Sequence, residues 1–196
     1  MSATDRLIKR IFDISLALIG LALTWPVILI AWIIASFETK SNGFFLQKRV
    51  GENGRQFSII KIKTMYPNNG STVTTANDKR ITKSGRFFRK YKIDELPQLI
   101  NVLKGDMSFV GPRPDVPGYA DELKGDDRII LSIKPGITGP ATLKYKNEEE
   151  ILAKVKDPVK YNNEVIWPDK VRINKEYIKN WSLKKDIEYI LKTLRS

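Results

Sequence analysis

The chain has 196 residues, enough for one domain with its own core plus a small appendage. It contains no cysteine and no histidine, which excludes disulfides, thiol and imidazole catalysis and the usual zinc ligands, and leaves carboxylates, Lys, Arg, Tyr, Ser and Thr to carry any chemistry. With 34 Lys and Arg against 22 Asp and Glu, the net charge of +12 favours polyanionic neighbours: nucleic acid, an anionic membrane face or phosphorylated substrates.

The first element in chain order is "ISLALIGLALTWPVILIAWIIASF", Ile14 to Phe37, without a single charge. At about 1.5 Å per residue it is long enough to span a bilayer core. It is too long for a secretory signal, and no small-x-small cleavage pattern follows it. Pro26 sits near its middle, where a missing N–H tends to kink or break a helix. Cations flank both sides, Arg6, Lys9 and Arg10 before and Lys40, Lys48 and Arg49 after, so a spanning helix would strand one cluster outside. A re-entrant hairpin keeps both on one side. The residues alone leave the two topologies open, and either places residues 38–196 in the cytoplasm against anionic lipid, which attracts each nearby Lys or Arg by about 1 kcal/mol. Nucleic acid becomes the weaker partner.

Next, "FFLQKRV" and "RQFSIIKIKTM" flank "GENG" and predict a β-hairpin. Lys61 and Lys63 share a face of its second strand about 7 Å apart, as a solvated strand end or as a phosphate clamp. Residues 66–78 are polar and rich in turn formers, as in a loop. "KRITKSGRFFRKYK", Lys79 to Lys92, holds seven cations and no acid. Ser84 is expected to cap a short helix that turns Phe87, Phe88 and Tyr91 toward the core or membrane and Arg86, Arg89 and Lys90 outward.

In "IDELPQLINVLKGDM" the spacing of Leu96, Leu99, Ile100 and Leu103 predicts an amphipathic helix ended by Gly105. Asp94 and Glu95 stand at its start, where acids usually serve as caps or dipole partners. "GPRP" holds Arg113 between two prolines, and "KPGITGP" is a second stiff turn carrying Lys134. The rest reads as mostly helical: "NEEEILAKV" begins with an acid-rich first turn, and "LKKDIEYILKTL" places Leu183, Ile187, Ile190, Leu191 and Leu194 on one stripe, expected in the core or, with Trp167, Trp181 and several lysines nearby, in the membrane interface.

Taken together, "KRIFDISLALIGLALTWPVILIA", "KIKTM", "GRFFRKYKIDELPQLINVLKGDMSFVGPRP" and "KPGITG" closely resemble the bacterial sugar transferases, small monotopic phosphoglycosyl transferases acting on polyprenol phosphate. The resemblance implies a mainly helical α+β fold, with a re-entrant membrane helix over residues 1–37, broken at Pro26. It also implies a cytosolic catalytic domain over residues 38–196 with a short hairpin and amphipathic interfacial helices. The implied reaction, at the cytoplasmic face of the bacterial inner membrane, moves a sugar 1-phosphate from a UDP-sugar to undecaprenyl phosphate. By the family pattern Asp94 is the nucleophile, forming a phosphosugar-aspartyl intermediate with release of UMP, and Glu95 helps to hold Mg²⁺. Lys61, Lys63, Arg89 and Arg113 are the motif cations expected on the phosphates.

Three positions depart from the pattern. Trp25 stands before the breaking Pro where Ser is frequent, Lys92 replaces a small hydroxyl residue, and Lys134 replaces Arg. The alternative reading is a basic membrane-anchored lipid-binding or scaffold protein. The residues leave the sugar and the oligomeric state open.

Overall fold

The structure, a computed structural model, describes residues 1–66, 78 and 80–195; most of the loop expected over 66–78 lies outside the described residues. Helix α1, Ala3–Thr39, opens with a capping box in which Ser2 accepts from the Asp5 N–H and Asp5 accepts from the Ser2 N–H. It ends at Lys40, which takes a left-handed conformation. Pro26 lies inside this element: the hydrogen-bonded helix continues through the position where two helices flanking a break were expected. One missing N–H leaves the turns on either side intact, and both sides are held by tertiary packing.

That packing is discontinuous along α1. Lys9, Asp13 and Ala17 are buried, then Ile28, Ala31, Ala35 and Thr39, while no residue from Leu18 to Val27 is. In the first group Ala17 meets Ile59, Val102 and Met107 while Lys9 and Asp13 bond Asp186 and Ser108; in the second, Ile28, Ala31 and Ala35 meet Ile62 and Phe88. The middle of the helix bulges outward with Leu23 74% and Trp25 58% exposed, and Phe37 near the end is 81% exposed. An apolar surface of this extent on one face is what a membrane-facing helix presents.

Strands β1, Phe44–Val50, and β2, Gln56–Ile62, form the expected antiparallel hairpin, in register from Phe44 opposite Ile62 to Val50 opposite Gln56. The turn uses Asn53 and Gly54 at positive φ. Helix α2, Lys83–Lys90, is capped by Thr82 and not by Ser84: Thr82 Oγ1 accepts from the Gly85 N–H, whereas the Ser84 hydroxyl donates to Glu38 near the end of α1. Only Phe88 of the three expected aromatics is buried; Phe87 and Tyr91 meet in the open with ring centroids 4.7 Å apart and planes tilted by 53°.

The dyad segment forms a short 3₁₀ turn, Ile93–Glu95, before α3, Gln98–Lys104, which stops at Gly105 in a left-handed conformation as expected. Strands β3, Ser108–Val110, and β4, Gly136–Thr138, pair in parallel, a contact between two distant segments too short to announce themselves by periodicity. Short helices α4 (Pro140–Lys144), α5 (Glu148–Leu152) and α6 (Pro158–Tyr161) lead through a π-helical turn, Asn162–Ile166, into α7 (Trp167–Lys179). The last helix is α8, Leu183–Leu194.

The main core gathers Val50, Val110, Ile130, Ile133, Val171 and Ile178, each buried aliphatic side chain contributing about 1.5–3 kcal/mol. The stripe on α8 is only partly used: Ile190 packs on this core, but Ile187, Leu191 and Leu194 are exposed, so the expected core stripe has an open outer half. The buried anchor of α8 is instead polar. Asp186 is 0% exposed and accepts from Lys9 Nζ at 2.5 Å, Tyr177 OH at 2.7 Å and Trp181 Nε1 at 3.1 Å.

Candidate active site

Asp94 and Glu95 share one tight turn, and the turn sends them to different surroundings. Lys92 enters it with φ 57° and ψ 21°, a left-handed conformation that costs a non-glycine residue about 1–2 kcal/mol. Asp94 is buried, and its Oδ1 has no hydrogen-bond partner. A buried carboxylate oxygen without a donor is costly, and such atoms in native folds call for an explanation. Burial pushes the Asp94 carboxyl above its usual range and the neighbouring Glu95 charge adds to the push, against the pull of Lys61, Lys92 and Arg89.

Glu95 is satisfied. Its Oε1 accepts from Lys61 Nζ at 2.9 Å and from Arg113 Nη2 at 3.3 Å. Burial pushes its carboxyl up, but Arg113 and Lys61 outweigh that and hold it at about 2. The pair therefore contains one carboxylate pinned by cations and one left with a bare oxygen.

Of the cations expected here, Lys61 and Arg113 converge on Glu95. Arg89, from α2, is near enough to act on the Asp94 charge, while its Nε donates to Thr64 Oγ1 at 2.9 Å and its Nη2 to Met65 Sδ at 3.1 Å. Lys63 is not brought to the dyad: its ammonium donates to Ser41 Oγ at 2.8 Å, beside the end of α1. Lys63 lies one residue past the end of β2; its N–H still donates to Gly43 O at 2.6 Å, but its side chain reaches Ser41 and not the dyad. Pro26 belongs to the exposed middle of α1 and Lys134 to the C-terminal end of α3, beside Arg10.

Arg113 is delivered by a strap, residues 111–115, fixed along both edges. The Gly111 N–H donates to Thr138 O at 3.0 Å and the Gly136 N–H to Pro112 O at 2.8 Å. On the other edge the Val50 N–H donates to Asp115 O at 2.9 Å and Arg49 Nη1 to Pro114 O at 3.2 Å. This brings in two residues that the sequence did not single out for the site, Arg49 and Asp115. Burial pushes Asp115 up to about 6, against Lys170, Arg49 and Arg113. Burial lowers the Arg49 guanidinium, and the like charge of Arg113 adds to it. In the sequence Arg49 reads as one more flanking cation; only the docking of the strap on β1 shows where it faces.

Cations thus crowd a small space around two adjacent carboxylates, one of them with an unengaged buried oxygen. Such an arrangement can receive a polyanion and present a carboxylate to it.

A model of the bacterial sugar transferase family matches residues 4–196. The sugar transferase EpsL of Bacillus subtilis is 35% identical over 190 residues, covering 96% of this chain and 86% of that protein. The UDP-glucose:undecaprenyl-phosphate glucose-1-phosphate transferase of Escherichia coli is 34% identical over 201 residues, 99% of this chain but 41% of that protein. The exopolysaccharide production protein ExoY of Rhizobium meliloti is 31% identical over 207 residues, covering 95% of this chain and 83% of that protein. The match extends from the start of α1 through α8 and takes in the whole site, so the chain belongs to the bacterial sugar transferase family.

Proposed function

We propose that the chain transfers a sugar 1-phosphate from a UDP-sugar to undecaprenyl phosphate, with Asp94 as nucleophile. The observation that carries this reading is the buried, unpartnered Asp94 Oδ1 next to the Glu95, Lys61 and Arg113 cluster. Names among the relatives support the substrates: one is a UDP-glucose:undecaprenyl-phosphate transferase, another a UDP-N-acetylgalactosamine-undecaprenyl-phosphate N-acetylgalactosaminephosphotransferase from Aeromonas hydrophila.

In the first step an Asp94 oxygen attacks the sugar-proximal phosphorus and forms a P–O bond. The bond to the bridging oxygen breaks, and UMP leaves with the electron pair. In the second, an oxygen of the lipid phosphate attacks the same phosphorus and the Asp94 carboxylate leaves, giving undecaprenyl diphosphate-sugar. An ionised carboxylate needs no separate base, which agrees with a chain lacking His and Cys. Lys61, Arg89 and Arg113 offset the charge that develops on the phosphates.

Mg²⁺ fits this site as a substrate-borne ion. Among the described residues no three His, Cys, Asp or Glu side chains gather as a cage. The ion, however, commonly takes one or two protein carboxylates and draws its other ligands from phosphate and water. Glu95, beside the nucleophile Asp94, would hold the ion, with phosphate and water supplying its other ligands. When bound, Mg²⁺ supplies charge neutralisation at the diphosphate.

The re-entrant topology belongs to the same proposal. Both halves of α1 are seated on one domain while the segment around Pro26 stands clear. A helix crossing the bilayer would carry one end away from that domain, so this packing supports insertion from the cytoplasmic face of the inner membrane, with residues 38–196 as the catalytic unit.

The test is a UMP-release screen across UDP-sugars with undecaprenyl phosphate and Mg²⁺, paired with trapping of a labelled phosphosugar on the protein. Wild type is expected to release UMP and take up label; Asp94→Asn is expected to do neither. Undiminished labelling of Asp94→Asn would remove Asp94 as nucleophile, and no UMP release with any donor would favour the scaffold reading.

A further inference from the structure

We infer that an aromatic cavity beside Tyr119 and Trp167 takes the nucleoside end of the nucleotide-sugar, an inference that rests on the transferase reading above. The cavity, about 410 Å³, is lined by Gly118, Tyr119, Glu122, Leu123, Asn163 and Trp167, a size within the range of roughly 300–1,000 Å³ common for small-ligand sites. Tyr119 and Trp167 meet edge to face, ring centroids 5.6 Å apart and planes at 74°, so they offer two aromatic surfaces at a right-angled corner. A pyrimidine ring stacks on such a surface.

Asn163 supplies the polar element. It sits in the π-helical turn Asn162–Ile166, and π-turns recur at functional sites. Pro168, which has no N–H to complete the ladder, accounts for the turn's formation but not for what it presents. The Asn163 side chain is exposed. Its amide NH₂ can donate to a uracil carbonyl, and its Oδ1, which accepts from Asn162 Nδ2 at 3.3 Å, keeps a second lone pair for the uracil N3–H. Glu122 can accept from ribose hydroxyls.

The cavity is linked to the dyad by a short series of charges. Trp167 precedes Lys170 by three residues of α7, a rise of about 4.5 Å, so the two lie on neighbouring parts of one face. Lys170 is the foremost cation acting on Asp115, Asp115 is two residues from Arg113, and Arg113 bonds Glu95. A diphosphate laid along these cations, with its sugar-proximal phosphorus at Asp94, directs its nucleoside toward the aromatic corner.

Isothermal titration of the full chain in nanodiscs with UMP and with ribose 5-phosphate isolates the contribution of the base. Wild type is expected to prefer UMP by about ten-fold or more, the scale of one stacked base. Tyr119→Ala, and separately the exposed-site variant Asn163→Ala, are expected to shrink that preference to under about three-fold while ribose 5-phosphate binds as before. Equal binding of the two ligands by wild type, or a preference that survives both substitutions, overturns the inference. Normal UMP release with an unaltered preference sinks the cavity alone; a preference abolished by the variants in a protein that turns over no UDP-sugar sinks the transferase reading and keeps the cavity.

Discussion

Gly136→Ala tests whether backbone contact between the two parallel strands sets the position of Arg113. A Cβ at Gly136 would lie 2.2 Å from Gly111 N, 2.4 Å from Thr138 O and 2.8 Å from Gly111 Cα, the closest being more than 1 Å short of the 3.4 Å at which ordinary contact begins. All three are backbone atoms, so no rotamer change relieves the clash and the strap must move. Gly111 is two residues from Arg113, whose Nη2 to Glu95 Oε1 distance is already 3.3 Å. A displacement of about 1 Å takes that contact out of hydrogen-bond range, and misplacement on this scale costs about 100-fold in rate. The overpacking itself costs about 1–3 kcal/mol, a fall in Tm of about 2–12 °C at roughly 2–4 °C per kcal/mol. UMP release is measured well below both melting temperatures, in a cycle with Arg113→Ala. Arg113→Ala is expected to cost about 100-fold in the wild-type background and under about three-fold in Gly136→Ala. If it still costs its full factor there, the strap does not position Arg113 and the reasoning fails.

Asp94→Asn is expected to abolish labelling yet raise thermal stability at neutral pH, because burial raises the folded-state pKa of Asp94 and its ionised form is carried at a cost. The proton-bound form stabilises the fold below the unfolded pKa, and that contribution is lost as pH rises through the folded pKa. The Tm advantage of the Asn variant should therefore shrink as pH falls; a gap that widens toward acid would contradict the burial argument. Lys9→Met leaves Asp186, 0% exposed, without its cation, and should cost about 3–5 kcal/mol; chemical denaturation showing less than about 1 kcal/mol would mean that Tyr177 and Trp181 suffice. Single cysteines at Ser2 and Asn42, introduced into a chain with none, report topology: an impermeant maleimide should label neither in intact cells if α1 re-enters, and one of them if it crosses.

The hairpin, the apolar helix and the dyad motif were legible because each is written in local pattern: alternation around a Gly-Asn turn, an unbroken apolar run, an acid pair ahead of an amphipathic helix. What the sequence hid depends on distant segments meeting. The β3–β4 pair joins residues 108–110 to 136–138 through strands of three residues each, too short for periodicity. Thr82 outcompetes Ser84 as a cap because Ser84 is taken by Glu38, a residue of α1. Lys61 and Lys63 look equivalent by spacing, yet Lys61 reaches Glu95 whereas Lys63 reaches Ser41 beside the end of α1. Asp186 reads as an ordinary first-turn acid of α8, and only the approach of Lys9, Tyr177 and Trp181 makes it an anchor.

The same tertiary contacts explain why an enzyme of this kind keeps its apolar helix on the catalytic unit and not on a tether. Ile93 and Leu96, on either side of the dyad, pack against Ile28, Ala31 and Ala35 of α1. Leu99, one turn further on, lies so close to Gly20 that a Cβ there would come within 3.1 Å of its Cδ1. The turn carrying Asp94 is therefore seated on α1 from both sides of Pro26. Small residues at Gly20, Ala31 and Ala35 allow the close approach. The opposite face of α1 is the apolar surface that would enter the bilayer. On the proposed reading, the depth of α1 in the membrane would set the height of Asp94 above it, and a lipid phosphate would be confined to nearly one height by its own head group. Fixing the proposed nucleophile and the lipid phosphate to the same plane would remove most of the positional search before the lipid arrives, a gain that a flexible tether between anchor and site would give up.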